Sequence, residues 1–233
     1  IEDIIIPASV TYIGTDAFIG TNKLKNIYYK GSLEDWCNIN FMNNNSNPMG
    51  YGTDFYLQND NNEWVETNEI HIPNQVKEIK QYAFYGFDNL TKVVVPSSVT
   101  TIGSNSFSGC NSLKSIELPF VGNSLDGTNN THFGYIFGAD SYSDNSSYVP
   151  ASLKTVTITG KELNQKITVS GLTISTIYYI SDAIAIAYAT TTGTETTITV
   201  SCGTASATTT LKVIESVASS YEVGDIILTD GTK

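Results

Sequence analysis

Arginine is absent from this 233-residue chain, so all twelve basic residues are lysine. Against 23 acidic residues they leave a formal net charge of −11. A nucleic-acid reader needs a positive footprint and bidentate guanidinium forks, so neither DNA nor RNA is an expected partner. The same acidity opposes adsorption to anionic lipid and suits a protein exposed to solvent. No run of 18 apolar residues occurs, so no segment is expected to insert into a membrane. The three cysteines, Cys37, Cys110 and Cys202, lack CxxC spacing, which argues against a zinc site or a redox pair. Cys110 and Cys37 read as small buried hydrophobes, with a Cys37–Cys110 bridge as the minor alternative. Two histidines, His71 and His132, have no neighbouring Cys or paired acid to make them ligands or bases. Neither HExxH nor a P-loop is present, and Gly122-Asn123-Ser124-Leu125-Asp126-Gly127 is one residue too long for a G-x-S-x-G elbow. Asp126, Asn129 and Asn130, or Asp140 and Asp144, offer oxygens to calcium but read as solvated groups or Asx-turns. No catalytic residue, cofactor or metal is expected.

What the chain does have is a repeat. Taking Pro7, Pro73 and Pro96 as position zero, offset 3 holds Val10, Val76 and Val99, and offset 6 holds Ile13, Ile79 and Ile102. Offset 11 is Phe18, Phe84 and Phe107, and offset 13 is Gly20, Gly86 and Gly109. Leu24, Leu90 and Leu113 follow at offset 17, then Ile27, Val93 and Ile116 at offset 20. A period in the twenties means stacked turns that bury their faces only against their neighbours, a solenoid with one continuous core.

Runs such as Val95-Pro96-Ser97-Ser98-Val99-Thr100-Thr101-Ile102-Gly103, followed by Ser106-Phe107-Ser108-Gly109-Cys110-Asn111-Ser112-Leu113, resemble the BspA-type leucine-rich repeat. The resemblance covers residues 1 to about 160. It implies a leucine-rich-repeat solenoid on a secreted or cell-surface bacterial protein, commonly an adhesin that contacts host matrix proteins or other bacteria. The fixed columns are core positions, so the motif identifies the repeat and not the ligand.

Within a turn, Ile116 and Leu118 point to one face of a short strand and Glu117 to the other, and Pro119 stops the strand. The same signature at Ile4/Ile6, Ile27/Tyr29, Ile70/Ile72, Val93/Val95 and Val156/Ile158 predicts six strands in one parallel sheet, with one strand per turn. Glycine at offset 13 suits positive φ. Insertions are expected at 30–69 and 119–152, where solenoids often carry binding loops. In the first, Ser32 caps a short helix with Asp35 at its third position, and Phe55-Tyr56-Leu57 with Trp64-Val65 reads as a β-hairpin around Asn59-Asp60-Asn61-Asn62. Sequons at Asn44, Asn89, Asn129 and Asn145 mark surface loops.

Beyond residue 160 phenylalanine disappears and threonine crowds 190–210. Alternating runs predict a small β-rich unit over 161–216, either a β-sandwich resembling bacterial immunoglobulin-like modules or a β extension capping the last turn. Residues 217–233 read as a linker and the start of a further module. The chain opens inside a strand without a signal peptide, so a longer protein is expected on the N-terminal side.

The fold class expected is thus mainly β with short helical turns, a solenoid with one parallel sheet followed by a small sandwich-like unit. Tyr135, Tyr142 and Tyr148 sit amid Gly, Ser and Asn in the second insertion and are the candidate partner-binding residues, unless they fold back to order that insertion. Trp36 and Trp64 read as insertion core. The function expected is non-catalytic protein interaction, adhesion to a host matrix or surface protein or to another bacterial surface, by a monomer outside the bacterial cell. A passive spacer that displays a neighbouring domain is the alternative, and an enzyme using the Asp and His of the second insertion ranks last.

Overall fold

The computed structural model describes residues 1–125 and 127–159, apart from the side chain of residue 142, and the backbone of five further strands between 167 and 212. The regular structure of these residues is mainly strand, with a few short helices. The first turn supplies β1 (Asp3–Ile6) and β2 (Tyr12–Ile13), and the second supplies β3 (Asn26–Tyr29), α1 (Leu33–Asn38) and β4 (Asn40–Phe41). Next come β5 (Asp54–Gln58) and β6 (Trp64–Glu66), then β7 (Glu69–His71) with β8 (Glu78–Ile79), and β9 (Lys92–Val94) with β10 (Thr101–Ile102). β11 (Ser115–Leu118), α2 (Asn145–Tyr148) and β12 (Thr155–Ile158) complete the repeat region.

Register follows from the apolar columns. Ile4, Ile27 and Phe55 align across β1, β3 and β5, and Ile70, Val93, Ile116 and Val156 align across β7, β9, β11 and β12, all in parallel pairs. These side chains point inward, and all but the half-buried Ile4 are fully enclosed. A second, two-residue strand per turn forms its own short ladders, β2 with β4 and β8 with β10, so the expectation of one strand per turn is corrected. The residues at offset 6, Ile79 and Ile102, pair there and face the core, which is why that column is apolar.

The single parallel sheet of six strands is also corrected: the ladder is two sheets, and it contains a seventh strand. β5 belongs to the parallel ladder through β3, and its other edge pairs antiparallel with β6. That hairpin takes the edge the next turn would have used, so β7 starts a new sheet. The segment expected as an insertion at 30–69 therefore contains a turn of the stack with a hairpin appended. Asn59 builds the hairpin's reversal, its side-chain oxygen accepting from the Asn61 and Glu63 N–H groups, with Asn62 at φ +61°.

The core nevertheless runs through the break. Trp36, fully buried on α1, packs against Phe55 at 4.7 Å and Phe87 at 6.0 Å, and its indole N–H donates to the Ala83 carbonyl at 2.6 Å. Asn47 donates to the Tyr82 and Ala83 carbonyls from the same side. Ser32 and Asp35 cap α1 reciprocally as expected, Asp35 N–H to Ser32 Oγ at 3.1 Å and Ser32 N–H to Asp35 Oδ2 at 2.9 Å.

The backbone of each regular turn reverses twice through left-handed residues. Gly20, Gly86 and Gly109 have φ of +78°, +77° and +79°, and Asp16, Tyr82 and Asn105 at offset 9 have φ of +57°, +62° and +58°. Phe84 and Phe107 stack between these reversals, while Phe18 on the first turn is half-buried against the same core. The 119–152 segment also joins the stack, because Asn105 and Phe107 N–H groups donate to the Tyr135 and Ile136 carbonyls.

After β12 the sheet continues antiparallel through β13 (Ile167–Ser170), past β14 (Ile174–Ser181) and β15 (Ile184–Ala189), which pair with each other, to β16 (Glu195–Cys202) and β17 (Ala205–Lys212). Whether 161–216 is a sandwich turns on side chains outside the described residues. Residues 217–233 lie outside them too.

Candidate interaction surface

Alternation along each strand puts every second side chain on the outward face of the sheets. In the second sheet that face is polar except for Val94: Glu69, Lys92, Ser115 and Thr155 form one row, and His71, Val94, Glu117 and Thr157 the next. In the first sheet the equivalent row is Ile5, Tyr28, Tyr56 and Glu66. Ile5 is 56% exposed, and Tyr28 and Tyr56 are half-buried. The Tyr28 and Tyr56 rings stack at 4.8 Å with planes 22° apart, and Trp64 meets Tyr28 edge-on at 5.1 Å. The hairpin produces this cluster, since β6 brings Trp64 opposite Gln58.

Carboxylates border the rings. Asp3, Asn26 and Asp54 form the adjoining row, with Asn26 Nδ2 donating to Asp3 Oδ1 at 2.6 Å and Asn89 Nδ2 to Asp54 Oδ1 at 2.8 Å. Asp54, Glu66 and Asn89 line a shallow cleft at the break in the ladder. Partial burial, then the Asp54 and Glu66 carboxylates, Tyr28 and Asp3, push the Tyr56 phenol above its ordinary value.

The tyrosines expected in the second insertion lie elsewhere on the fold. Tyr135, in a 3-10 turn over Phe133–Phe137, is half-buried against the core and meets the His132 ring edge-on at 5.9 Å. Tyr148 ends α2 and is 47% exposed, its Cδ1 3.6 Å from where a Cβ on Gly138 would stand. The Tyr135 carbonyl accepts from the Gly138 N–H, so Gly138 adjoins both residues. Tyr142 lies in a 3-10 turn at Tyr142–Asp144, with its side chain outside the described residues. The sequence reading passed over Tyr28 and Tyr56 and placed Trp64 in the insertion core. The signal for Tyr28 was present in the alternation Asn26-Ile27-Tyr28-Tyr29, which turns Tyr28 outward once Ile27 is inward.

Other groups singled out in the sequence have defined places in the fold. Cys37 and Cys110 are free and buried; burial, then Glu34, pushes the Cys37 thiol up to about 12, and burial pushes Cys110 up also. His132 is buried with Nε2 2.8 Å from the Ala139 carbonyl, and exposed His71 lies 3.9 Å from Glu69. Asn145, a sequon residue expected in a surface loop, is buried, and its Oδ1 accepts from Gly134 N–H, which orders the 119–152 lobe. Among the described residues no cluster of three His, Cys, Asp or Glu side chains could hold a metal ion, and no helix is long and apolar enough to cross a membrane.

A crystal structure of a leucine rich cell surface protein from Faecalibacterium prausnitzii A2-165 is similar at 25% identity, over 51% of this chain and 36% of that one, with a TM-score of 0.27. No curated protein matches the chain. The BspA type leucine rich repeat region matches in six copies, over residues 1–49 and 62–158, more than half of the sequence. The chain belongs to the BspA-type leucine-rich-repeat family.

Proposed function

We propose that this chain is a non-catalytic protein-interaction module of a secreted or cell-surface bacterial protein, a continuous solenoid that presents its outward face to host or bacterial macromolecules in adhesion. The observation that carries the reading is the row Ile5, Tyr28, Tyr56 with Trp64, left on the solvent side of a sheet whose counterpart positions in the next sheet are polar except for Val94. Contiguous exposed apolar area rimmed by polar groups is a feature of contact sites, and Tyr and Trp dominate such contacts because they bury large rigid area at small entropic cost. The 119–152 lobe with Tyr135, Tyr142 and Tyr148 is a second contact, with Tyr148 47% exposed. The β-rich unit expected over 161–216 is supported by β13, which pairs antiparallel with β12 of the last turn, and by β16 and β17 beyond it. Buried thiols with raised pKa and a histidine tied to a backbone carbonyl support a role without catalysis.

The test is attachment of the immobilised chain to a panel of host matrix proteins and bacterial surfaces. Binding by the native chain that is lost in Tyr28→Ala with Trp64→Ala, at an unchanged unfolding midpoint, is expected. Native chain that binds nothing sinks the proposal. A spacer role is the second reading, favoured by the core that stays unbroken past the split sheet through Trp36. Substituting an unrelated rod of equal length in the bacterium leaves attachment intact if the role is spacing and abolishes it if the role is adhesion.

A further inference from the structure

Resting on the surface proposed above, we infer that its partner is a cationic stretch of a protein chain, whose Arg or Lys side chains lie over Tyr28 and Tyr56 between the carboxylates of Asp3, Asp54 and Glu66. Three features of the face select that chemistry. Strands lie about 4.8 Å apart and same-face residues of one strand about 7 Å apart, so each tyrosine ring has a carboxylate in an adjoining row position. A cation within about 6 Å of a ring centroid is attracted by the ring face, and here the same cation also reaches a carboxylate. Second, the face sets carboxylate acceptors beside π faces, its own donors being the Tyr28 and Tyr56 hydroxyls, the Trp64 indole N–H and the Lys30 ammonium. The amides of Asn26 and Asn89, which would otherwise serve a sugar oxygen, already donate to Asp3 and Asp54. A guanidinium has five donors and no acceptor, the complement of those carboxylates and ring faces. Third, the field over the rings is negative. Lys25 is engaged by Glu2 at 3.1 Å, Lys30 alone continues the outward row of β3, and the Tyr56 phenol, raised first by burial, is raised further by the Asp54, Glu66 and Asp3 carboxylates. These 233 residues contain no arginine, so a guanidinium on this face comes from outside them.

The experiment is fluorescence-anisotropy titration of the full chain with a labelled arginine-rich peptide at about 0.15 M salt. A glutamate-rich peptide of equal length and neutral oligosaccharides run in parallel. Tyr28→Leu and Tyr56→Leu keep the net charge, and Asp54→Asn with Glu66→Gln keeps the shape. Circular dichroism and unfolding midpoints establish that each variant is folded. The expected result is binding of the arginine-rich peptide alone, weakened on the order of tenfold by either leucine substitution and by the amide pair, and unaffected by Tyr148→Leu. Equal affinity for the native chain and the doubly substituted Tyr28→Leu, Tyr56→Leu chain would mean attraction by bulk charge and overturns the inference. Oligosaccharide binding that the leucine substitutions abolish, without peptide binding, overturns the cationic partner while leaving the contact surface in place. Failure of both probes overturns the inference as well, and the contact surface then stands or falls on the attachment assay.

Discussion

Phe84 and Phe107 lie ring over ring on consecutive turns, centroids 5.4 Å apart and planes 7° from parallel. The Phe84 N–H donates to the Ser106 carbonyl just before the partner ring, so backbone and side chain stack in the same register. A side chain enclosed by the turns on either side loses contacts to both when truncated. Phe107→Ala is expected to cost about 3–5 kcal/mol of stability, read from urea unfolding midpoints. Phe18 N–H donates to Asn45, which puts Ser46 rather than a ring beside Phe18, and Phe18 is only half-buried. Phe18→Ala should cost about 1 kcal/mol.

Gly20 and Gly86 share one backbone conformation and differ in surroundings. A Cβ at Gly20 would meet nothing within 4 Å, whereas one at Gly86 would stand 2.6 Å from the Met49 carbonyl oxygen and 2.7 Å from Gly50. Gly20→Ala is therefore expected to cost about 1 kcal/mol, the left-handed penalty alone. Gly86→Ala adds a clash with the neighbouring turn's backbone and should lower the thermal midpoint well beyond that. Equal shifts would mean that the turn at 33–52 does not press on Gly86.

The Tyr29 hydroxyl is buried without a hydrogen-bond partner, and burial, then Asp35 and Cys37, raise its phenol to about 12. An unfolded phenol ionises near pH 10. The stability linked to Tyr29 is thus complete below about pH 10 and falls as pH rises through the folded value. Tyr29→Phe should reduce that alkaline fall and, by deleting an unpaired buried hydroxyl, leave stability at neutral pH equal or higher by up to about 1–2 kcal/mol. Denaturant midpoints between pH 7 and 11 check both.

Trp36 carries the core across the split sheet. Its replacement by alanine is expected to cost about 3–5 kcal/mol and to leave the Ala83 carbonyl without its indole donor. Because stacked turns are coupled only to their neighbours, Trp36→Ala should separate one unfolding transition into two, the residues before the hairpin melting first. A single transition at unchanged midpoint would show that the two sheets are joined by other contacts.

Much of this stack was legible in the sequence because its columns are set by residue types with one physical use. Ile27, Val93 and Ile116 must face inward, and glycine at offset 13 supplies φ near +78°. The split was not legible, because β5 pairs with β3 on one edge and turns back into β6 on the other, and Phe55 carries no proline-flanked signature. Nor was the second left-handed position, where Tyr82 stands in place of Asp16 and Asn105, a residue type that gives no hint of positive φ. The aromatic face depended on register: Tyr28, Tyr56 and Trp64 meet only once three strands are aligned, and sequence separation conceals that.

Trp64 offers the most direct test of the outward face as the contact surface. In a Trp36→Phe chain it is the sole tryptophan, so acrylamide quenching reports its exposure alone. Saturation with the partner identified by attachment should shield Trp64 and lower its quenching constant severalfold. An unchanged quenching constant at full saturation would place the partner elsewhere and contradict the assignment of Tyr28, Tyr56 and Trp64 to binding.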